Sequence, residues 1–268
     1  MSEAPAASNG TGGVVLQAHG ISKAYGAVQA LDGVDLELRR GEVLGLVGDN
    51  GAGKTTLVKC LSGVLRPDSG SIMIDGKEYG DLTAEFARTL GIETVYQNLS
   101  LVDTLDVMQN FFLNRELVYR NPVARSLRWL NRRRMYRETD EHLRGLGLAV
   151  EARRSVSALS GGQRQMIAVG RAITWGRHIV MLDEPAAALG VRQSMQVLQF
   201  VRSMAEKGVA VLFISHNMQH VLKVTDRIVV LRHGQKVGDV RTAEATAQQI
   251  VTLITGSELI VAGQDFAL

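Results

Sequence analysis

The feature that most constrains this chain is a glycine-rich turn, residues 48–55, with the sequence GDNGAGKT. It follows an apolar run, residues 42–47, and opens a helical run, residues 56–61. Glycines in such a turn remove the Cβ atoms that would keep backbone N–H groups away from a phosphate, and the amino terminus of the following helix adds partial positive charge. The pattern therefore predicts a phosphate-binding loop between a strand and a helix.

Two side chains of this phosphate loop, residues 48–55, suit a nucleoside triphosphate bound together with a metal ion. Lys54 would reach the β and γ phosphates, and the Thr55 hydroxyl would ligate Mg²⁺. The loop alone does not separate a transporter ATPase from a GTPase, a kinase or a helicase, because all of these classes use it. Other parts of the sequence have to make that distinction.

Several apolar runs in the sequence end in polar side chains. Asp183 and Glu184 follow one run, Gln97 follows another, and His216 follows a third. The carboxyl ends of parallel strands meet at one edge of a sheet, where ligands bind. We therefore expect these four side chains at one reaction centre. Asp183 is predicted to hold Mg²⁺ through water, and Glu184 to activate the attacking water.

The chain is long enough for one large α/β domain but short for two complete nucleotide-binding domains. Residues 14–38 contain alternating apolar and polar positions, broken by Gly20, Gly26 and Gly33, which predicts a lobe of antiparallel strands. Residues from about 98 to 158 are helical in pattern and interrupt the sheet-forming segments, which predicts an inserted helical lobe. A hairpin around residues 228–240 and a short helix over residues 245–254 are predicted near the end.

Composition limits the location and the partners. No stretch approaches the roughly 20 apolar residues of a membrane-spanning helix, and the amino terminus lacks a signal-peptide core, so we expect a cytoplasmic protein. A net charge of +3 does not indicate nucleic-acid binding. Cys60, the single cysteine, is expected to be a small buried hydrophobe. Residues 1–13 are predicted to be a disordered tail and residues 257–268 a second tail, which leaves the domain at residues 14–256.

One stretch is strongly basic. Glu116 is the only acid between residues 115 and 137, where the arginines are Arg115, Arg120, Arg125, Arg128, Arg132, Arg133, Arg134 and Arg137. This stretch is either a solvated helix surface or a face near anionic lipid headgroups, where each cation contributes about 1 kcal/mol. Trp129 and Tyr136 within it favour the second interpretation slightly.

The motif that separates the alternatives is residues 159–163, LSGGQ, which precedes a helical pattern. Ser160 can cap that helix, and the two glycines leave backbone N–H groups open to phosphate, so the motif is a second anion-binding turn. With the phosphate loop upstream and Asp183-Glu184 downstream, the chain resembles the ATP-binding-cassette (ABC) family over nearly all of its length after residue 13.

The resemblance implies a fold and an assembly. The fold would be α/β, a P-loop NTPase with a RecA-like parallel sheet core, an antiparallel β lobe and an inserted α-helical lobe. The assembly would be a head-to-tail dimer in which the signature turn, residues 159–163, closes over the ATP held by the opposite subunit. The helical lobe would dock on a separate integral membrane permease, so the protein would be peripheral at the cytoplasmic face of the cell membrane.

The resemblance also implies residue roles. Tyr25 would stack on adenine, Gln97 would sense Mg²⁺ and the γ-phosphate, and His216 would contact the γ-phosphate. Glu184 would be the general base, and the metal would be held at Thr55, Gln97 and Asp183. The ATP-binding residues would be Tyr25, Gly48, Asp49, Asn50, Gly51, Ala52, Gly53, Lys54, Thr55, Thr56, Ser160, Gly161, Gly162 and Gln163.

Within the family, residues 184–191, EPAAALGV, and the ending ITG at residues 254–256 look like the single-cassette ATP-binding proteins of monosaccharide importers, for sugars such as ribose, xylose or fructose. Such a system would include a periplasmic or extracellular solute-binding protein as an indirect partner. Ala186 departs from the usual threonine. Gly190 replaces the aspartate of most of the wider family, although this import group commonly has glycine.

A rival interpretation is an ABC-type ATPase that acts on DNA or on the ribosome. Proteins of the first kind would carry a long coiled-coil insertion, and those of the second kind usually carry two cassettes. The sequence has neither feature.

Overall fold

The structure is a computed structural model that describes residues 12–97, 100–119, 127 and 129–256. The predicted tail 257–268, nearly all of the tail 1–13, and Arg120, Arg125 and Arg128 lie outside these residues. The strands are β1 (Val14–Tyr25), β2 (Val28–Arg39), β3 (Val43–Gly48), β4 (Ser69–Ile74), β5 (Lys77–Glu78), β6 (Ile92–Val95), β7 (Ile179–Asp183), β8 (Ala210–Ile214), β9 (Arg227–Arg232) and β10 (Gln235–Arg241). The α-helices of the described residues are α1 (Lys54–Leu61), α2 (Ala84–Thr89), α3 (Val107–Phe111), α4 (Arg132–Gly145), α5 (Gly161–Trp175), α6 (Val191–Glu206), α7 (Met218–Val224) and α8 (Ala247–Thr255).

The first sheet is antiparallel, with strand order β2-β1-β4-β5. Val34, Leu36 and Leu38 of β2 are buried while the residues between them are more exposed, which confirms the predicted half-buried strand. Gly20 and Gly33, which interrupt the apolar runs of the sequence, lie inside β1 and β2 and do not end these strands. The β1–β2 register shifts at both places, so each glycine allows an irregularity within a continuous strand.

The second sheet has the order β10-β9-β3-β8-β7-β6, in which only β10 is antiparallel to its neighbour. Its central strands are apolar on both faces because both faces are covered. Leu44 and Leu46 of β3 pack with α1 and the first sheet, whereas Val43 and Val47 pack with α5, α6 and α7. The predicted hairpin is confirmed as β9 and β10, and the predicted closing helix as α8, which ends at left-handed Gly256.

Between β6 and α5 the described residues form α3, α4 and a small core of their own. Phe111, Phe112, Met135 and Leu143 are almost fully buried in it. The segment is not wholly helical, since residues 118 and 130 form an isolated antiparallel bridge. Among the helices described here, none has the length and apolar character needed to cross a bilayer.

The structure divides the predicted basic stretch. Arg115 points inward, where it pairs with Glu93 and lies over the ring of Trp175 at 5.1 Å, so its assignment to the local basic face is wrong. The Tyr136 hydroxyl is also turned inward and donates to Asp106 at 2.6 Å. The sequence alone did not predict the Arg115–Glu93 and Tyr136–Asp106 contacts, because the two residues of each contact are far apart in the chain.

Cys60 is 1% exposed, which confirms its prediction as a small buried hydrophobe. Burial raises the pKa of its thiol to about 11, so the thiol stays protonated and unreactive.

Candidate functional site

The phosphate loop joins the end of β3 to the start of α1 and has a backbone that only glycine accepts at key points. Gly51 has φ +80° and Gly53 has φ +100°, in the left-handed region. A Cβ atom on Gly53 would lie 2.5 Å from the carbonyl oxygen of Ala30. The loop is therefore held against the first sheet by close backbone contact, and its shape is specified by the chain itself.

Lys54 lies at the first position of α1 and folds back over the loop. Its Nζ donates to the carbonyl oxygens of Gly48 at 2.7 Å and Asp49 at 2.8 Å. Burial lowers the pKa of Lys54, and the carboxylates of Glu184 and Asp183 act against that decrease. A partly desolvated ammonium group of this kind is suited to a highly charged anion such as a triphosphate.

Asp183 at the end of β7 is 3% exposed, and its Oδ2 accepts a hydrogen bond from the Thr55 hydroxyl at 3.1 Å. Burial raises the pKa of Asp183, the hydrogen bond from Thr55 lowers it, and the charge of Glu184 raises it further. A buried carboxylate paired with a hydroxyl is a donor set that Mg²⁺ accepts together with substrate phosphates. The residues present therefore fit a magnesium ion.

Glu184 is held in an unusual backbone conformation, with φ +54°. Its N–H donates to the carbonyl of Ile214 in β8 at 3.0 Å, which ties the ends of β7 and β8 together. Its Oε1 accepts from the backbone N–H of His216 at 2.8 Å and lies 2.8 Å from the Nδ1 of the same residue. The carboxylate is thus oriented by the strand end that carries His216, whose side chain remains 75% exposed.

These groups surround one open cavity of about 470 Å³ at the carboxyl edge of the second sheet. Tyr25, half exposed, borders it from the first sheet. The cavity is lined by Tyr25, Ala30, Asn50, Gly51, Ala52, Gly53, Lys54, Thr55, Thr56, Gln97, Asp183, Glu184, Ala187 and His216. The four strand-end side chains named from the sequence therefore come together around one space, with the phosphate loop on one side of it.

The signature turn is built in another place and in another way. Ser160 caps α5 by a reciprocal arrangement: its hydroxyl accepts from the N–H of Gln163 at 3.3 Å, and its own N–H donates to the Gln163 side chain at 3.0 Å. Ser160 and Gly161 are exposed. The described lining of the 470 Å³ cavity includes none of residues 159–163.

Sequence reasoning missed two residues that orient Glu184. Gln165 of α5 is 4% exposed and its Nε2 donates to the carbonyl oxygen of Glu184 at 3.1 Å, which joins the signature helix to the end of β7. The hydroxyl of Ser215 donates to Glu184 Oε2 at 3.4 Å. The available signal for Gln165 was a polar residue at an inward position of an amphipathic helix, because buried amides need a partner.

Comparison with known proteins adds sequence relatives. The ABC transporter family model matches residues 31–187. The fructose import ATP-binding protein FrcA of Rhizobium meliloti is 41% identical over 91% of this chain and 95% of its own length. The xylose/arabinose import ATP-binding protein XylG of Sulfolobus acidocaldarius is 39% identical over the same shares. A ribose import ATP-binding protein, RbsA 1 of Rubrobacter xylanophilus, is 40% identical, and the chain spans 48% of its length.

Solved structures agree on the fold. A nucleotide-free ATP-binding cassette from an ABC transporter matches 93% of this chain and 98% of its own with a TM-score of 0.75 and 24% identity. The dimeric post-hydrolysis state of the cassette MJ0796, bound to ADP and Pi, matches 85% of this chain and 98% of its own with a TM-score of 0.74 and 23% identity. The predicted α/β fold of a P-loop NTPase is confirmed.

Proposed function

This chain belongs to the ABC transporter family, and we propose that it is the ATP-hydrolysing subunit of an importer for a monosaccharide. One observation carries the proposal for ATP hydrolysis. A cation, a buried carboxylate with a hydroxyl, and a second oriented carboxylate border the same cavity, at Lys54, Asp183 with Thr55, and Glu184. Phosphoryl transfer to water needs such positioning together with charge stabilisation.

ATP binding would begin with the phosphates at the loop. The backbone N–H groups of residues 50–55 would surround them, and Lys54 would exchange its two carbonyl acceptors for the β and γ phosphates. Tyr25, at the border of the cavity, would stack on adenine. Mg²⁺, held by Thr55, Asp183 and Gln97, would neutralise charge on the β and γ phosphates.

Hydrolysis would depend on Glu184 as the general base. Its side chain is 12% exposed and lines the cavity beside His216, where it would accept a proton from a water molecule next to a bound γ-phosphate. His216 would then exchange its contact with Glu184 for the γ-phosphate. Gln165 and Ser215 would hold Glu184 in place during this exchange.

The signature turn supports a dimer of cassettes. Its exposed amino-terminal end of α5 has the backbone N–H groups to bind phosphate, but it does not line the cavity of its own chain. In a head-to-tail homodimer each signature turn would close the cavity of the opposite subunit. ATP would then hold the dimer together, and hydrolysis would release it.

The importer assignment rests on the relatives. FrcA, XylG and RbsA 1 are named as import ATP-binding proteins for fructose, xylose/arabinose and ribose. By this similarity the chain would act on integral membrane permease subunits, at the cytoplasmic face of the cell membrane, in a system that also has a solute-binding protein. The rival function, an ABC-type ATPase that acts on DNA or the ribosome, is not favoured by these relatives.

The test is sugar uptake by a reconstituted system. Proteoliposomes would contain a candidate permease, with this chain and ATP in the lumen. The outer solution would contain a solute-binding protein and radiolabelled fructose, xylose or ribose. We expect ATP-dependent accumulation of one of these sugars, and loss of it with Glu184→Gln. An ATPase activity that DNA or ribosomes stimulate, in a chain that associates with no membrane protein, would replace the importer with the rival function.

A further inference from the structure

We propose that an exposed ladder in the helical lobe, together with arginines at the start of α4, is a contact surface for anionic lipid headgroups. The interfacial ladder, as we name it, consists of Val118, Tyr119, Trp129 and Leu130. The inference goes beyond the proposed function and rests on it in one respect, that a transporter ATPase works beside a bilayer.

Backbone hydrogen bonding pairs these four residues as two short antiparallel segments. Val118 and Leu130 form an antiparallel bridge, and the N–H of Tyr119 donates to the carbonyl of Trp129 at 3.0 Å. Adjacent side chains along such a ladder point to opposite faces. One face of a strand pair is ordinarily buried, so two of the four side chains would be expected to be covered.

All four side chains are instead open to solvent. The exposed fractions are 61% for Trp129, 45% for Leu130, 42% for Tyr119 and 38% for Val118. The lobe does have a core, because Phe111 and Phe112 are at most 1% exposed. The ladder is therefore a set of large apolar and aromatic groups that lie outside the core of the lobe and are not among the residues packed against it.

Positive charge lies directly next to the ladder in the chain. Arg132, Arg133 and Arg134 occupy the first turn of α4, which contains no acidic residue. Cations at a helix amino terminus oppose the helix dipole, so helix stability does not explain them. Arg134 pairs with Glu138. Arg132 interacts with the hydroxyl of Tyr136, and among the described residues neither Arg132 nor Arg133 has a carboxylate within 4.0 Å.

This combination identifies lipid as the partner by its chemistry. Tryptophan and tyrosine are enriched at the headgroup level of membranes, where an apolar ring and a polar edge are both satisfied. Arginines beside them are attracted to the negative surface potential of the cytoplasmic leaflet. Charge complementarity thus favours anionic headgroups over an uncharged apolar partner for the interfacial ladder.

The test uses the full-length chain without any permease. The chain is sedimented with vesicles of phosphatidylcholine alone or of phosphatidylcholine mixed with phosphatidylglycerol. We expect binding to the mixed vesicles that weakens as salt is raised, and little binding to the neutral ones. Arg132→Gln and Arg133→Gln should each weaken the affinity roughly fivefold. Trp129→Ser with Leu130→Ser should remove most binding.

Two controls make the result specific. Val251→Ser and Arg241→Gln change exposed residues of the same kinds elsewhere and should leave vesicle binding unchanged. The chain has two tryptophans, so quenching by brominated acyl chains should occur in the wild type and be lost in Trp129→Phe. None of these ladder variants should change ATP turnover in solution, which separates this inference from the proposed function.

The inference is overturned if the wild type does not bind anionic vesicles, or if the ladder variants bind as well as the wild type. It is equally overturned if vesicle binding is absent while the ladder variants lose co-purification with the permease, because the surface would then contact protein. A second copy of the chain as the occupant would appear as a dimer, without ATP, that Trp129→Ser dissociates.

Discussion

The phosphate loop and the signature turn are both glycine-rich turns that precede a helix, yet only the phosphate loop is surrounded by the groups a triphosphate needs. Lys54 provides a cation beside the loop, and Asp183 and Thr55 place side-chain oxygen atoms in the same cavity. The signature turn contains no charged residue, and its Ser160 and Gly161 are exposed. One turn resembles a complete site and the other resembles half of one.

One glycine from each turn, Gly53 and Gly161, differs from the other in the same way. Gly53 is required by its own chain, because it has φ +100° and a Cβ atom there would lie 2.5 Å from Ala30 O. Gly161 is outside the left-handed region, and a Cβ atom on it would meet nothing within 4 Å. A glycine that its own fold does not need leaves its surface open to a ligand. The comparison therefore suggests that the partner of Gly161 comes from outside the chain.

The largest expected effect is that of Glu184→Gln, which tests whether hydrolysis takes place in the cavity beside the phosphate loop. Glu184→Gln keeps the side-chain shape and one oxygen but cannot take a proton from water. We expect turnover to fall by about 10² to 10⁴ with ATP affinity retained. Because ATP at both interfaces would hold the dimer, the variant should accumulate as an ATP-bound dimer in size-exclusion chromatography. Glu206→Gln, an exposed position, is the control.

A Glu184→Gln variant that hydrolyses ATP at nearly the wild-type rate would assign the base to another group. One that stays monomeric with saturating ATP and Mg²⁺ would remove the dimer from the mechanism, since nothing in the substitution weakens binding.

A somewhat smaller loss of turnover is expected for Lys54→Ala. Removing a charge-assisted donor from the phosphates should lower ATP binding and turnover together, each by about 10² to 10³. Isothermal titration with ATP and phosphate release measure the two quantities. Lys207→Ala, at an exposed lysine after α6, should change neither. Unchanged ATP turnover in Lys54→Ala would remove the phosphate-loop assignment.

The phosphate loop was predictable from the sequence because its chemistry and its backbone depend on the same few residues. Glycine spacing determines the turn, and the apolar run before Asp183 predicts a buried strand that ends there. The same reasoning predicted that the strand-end side chains share one edge of a sheet. The cavity that Gln97 and His216 line with them agrees with that expectation.

The residues that orient the site were less accessible to sequence reasoning because their contacts depend on tertiary packing. Gln165 meets Glu184 only after α5 packs beside the sheet, and Arg115 meets Glu93 across two segments. The left-handed conformation of Glu184 could not be inferred either, since a glutamate before Pro185 is ordinarily extended. Local sequence patterns predict helices and strands, whereas the contacts of long side chains depend on how those helices and strands pack together.

The signature half of the comparison is tested by Ser160→Arg. An arginine there would obstruct the opposite subunit, so turnover should fall by about 10² while ATP binding to the monomer stays unchanged. Titration of ATP below the dimerisation concentration, alongside phosphate release above it, measures both. Equal loss of binding and turnover would show that the signature turn acts within its own subunit.

Mixing the two disabled variants sharpens the same prediction. A dimer of one Lys54→Ala chain and one Ser160→Arg chain has one site with an intact phosphate loop and an intact opposite signature turn. We expect turnover in the mixture to exceed that of either variant alone. No recovery, under conditions where the chains are shown to exchange, would contradict a site shared between subunits.

The smallest effects are expected from a matched pair of glycine substitutions. Gly53→Ala forces a Cβ atom into a left-handed position against Ala30 O and should lower the free energy of unfolding by about 1 to 3 kcal/mol. Gly161→Ala adds a methyl group in open space at the start of α5, so stability should stay the same or rise by up to about 1 kcal/mol. Urea denaturation of the nucleotide-free chain measures both.

Comparing Gly53→Ala with Gly161→Ala distinguishes an effect on stability from an effect on ATP turnover. Gly161→Ala should lower turnover despite its unchanged stability, because the added methyl group faces the surface that the opposite subunit's ATP would approach. Gly53→Ala should lose both, since its own loop is distorted. If Gly161→Ala destabilised the isolated chain as much as Gly53→Ala does, both turns would be parts of the same self-contained fold. The description of the phosphate loop as a complete site and of the signature turn as half of a site would then be incorrect.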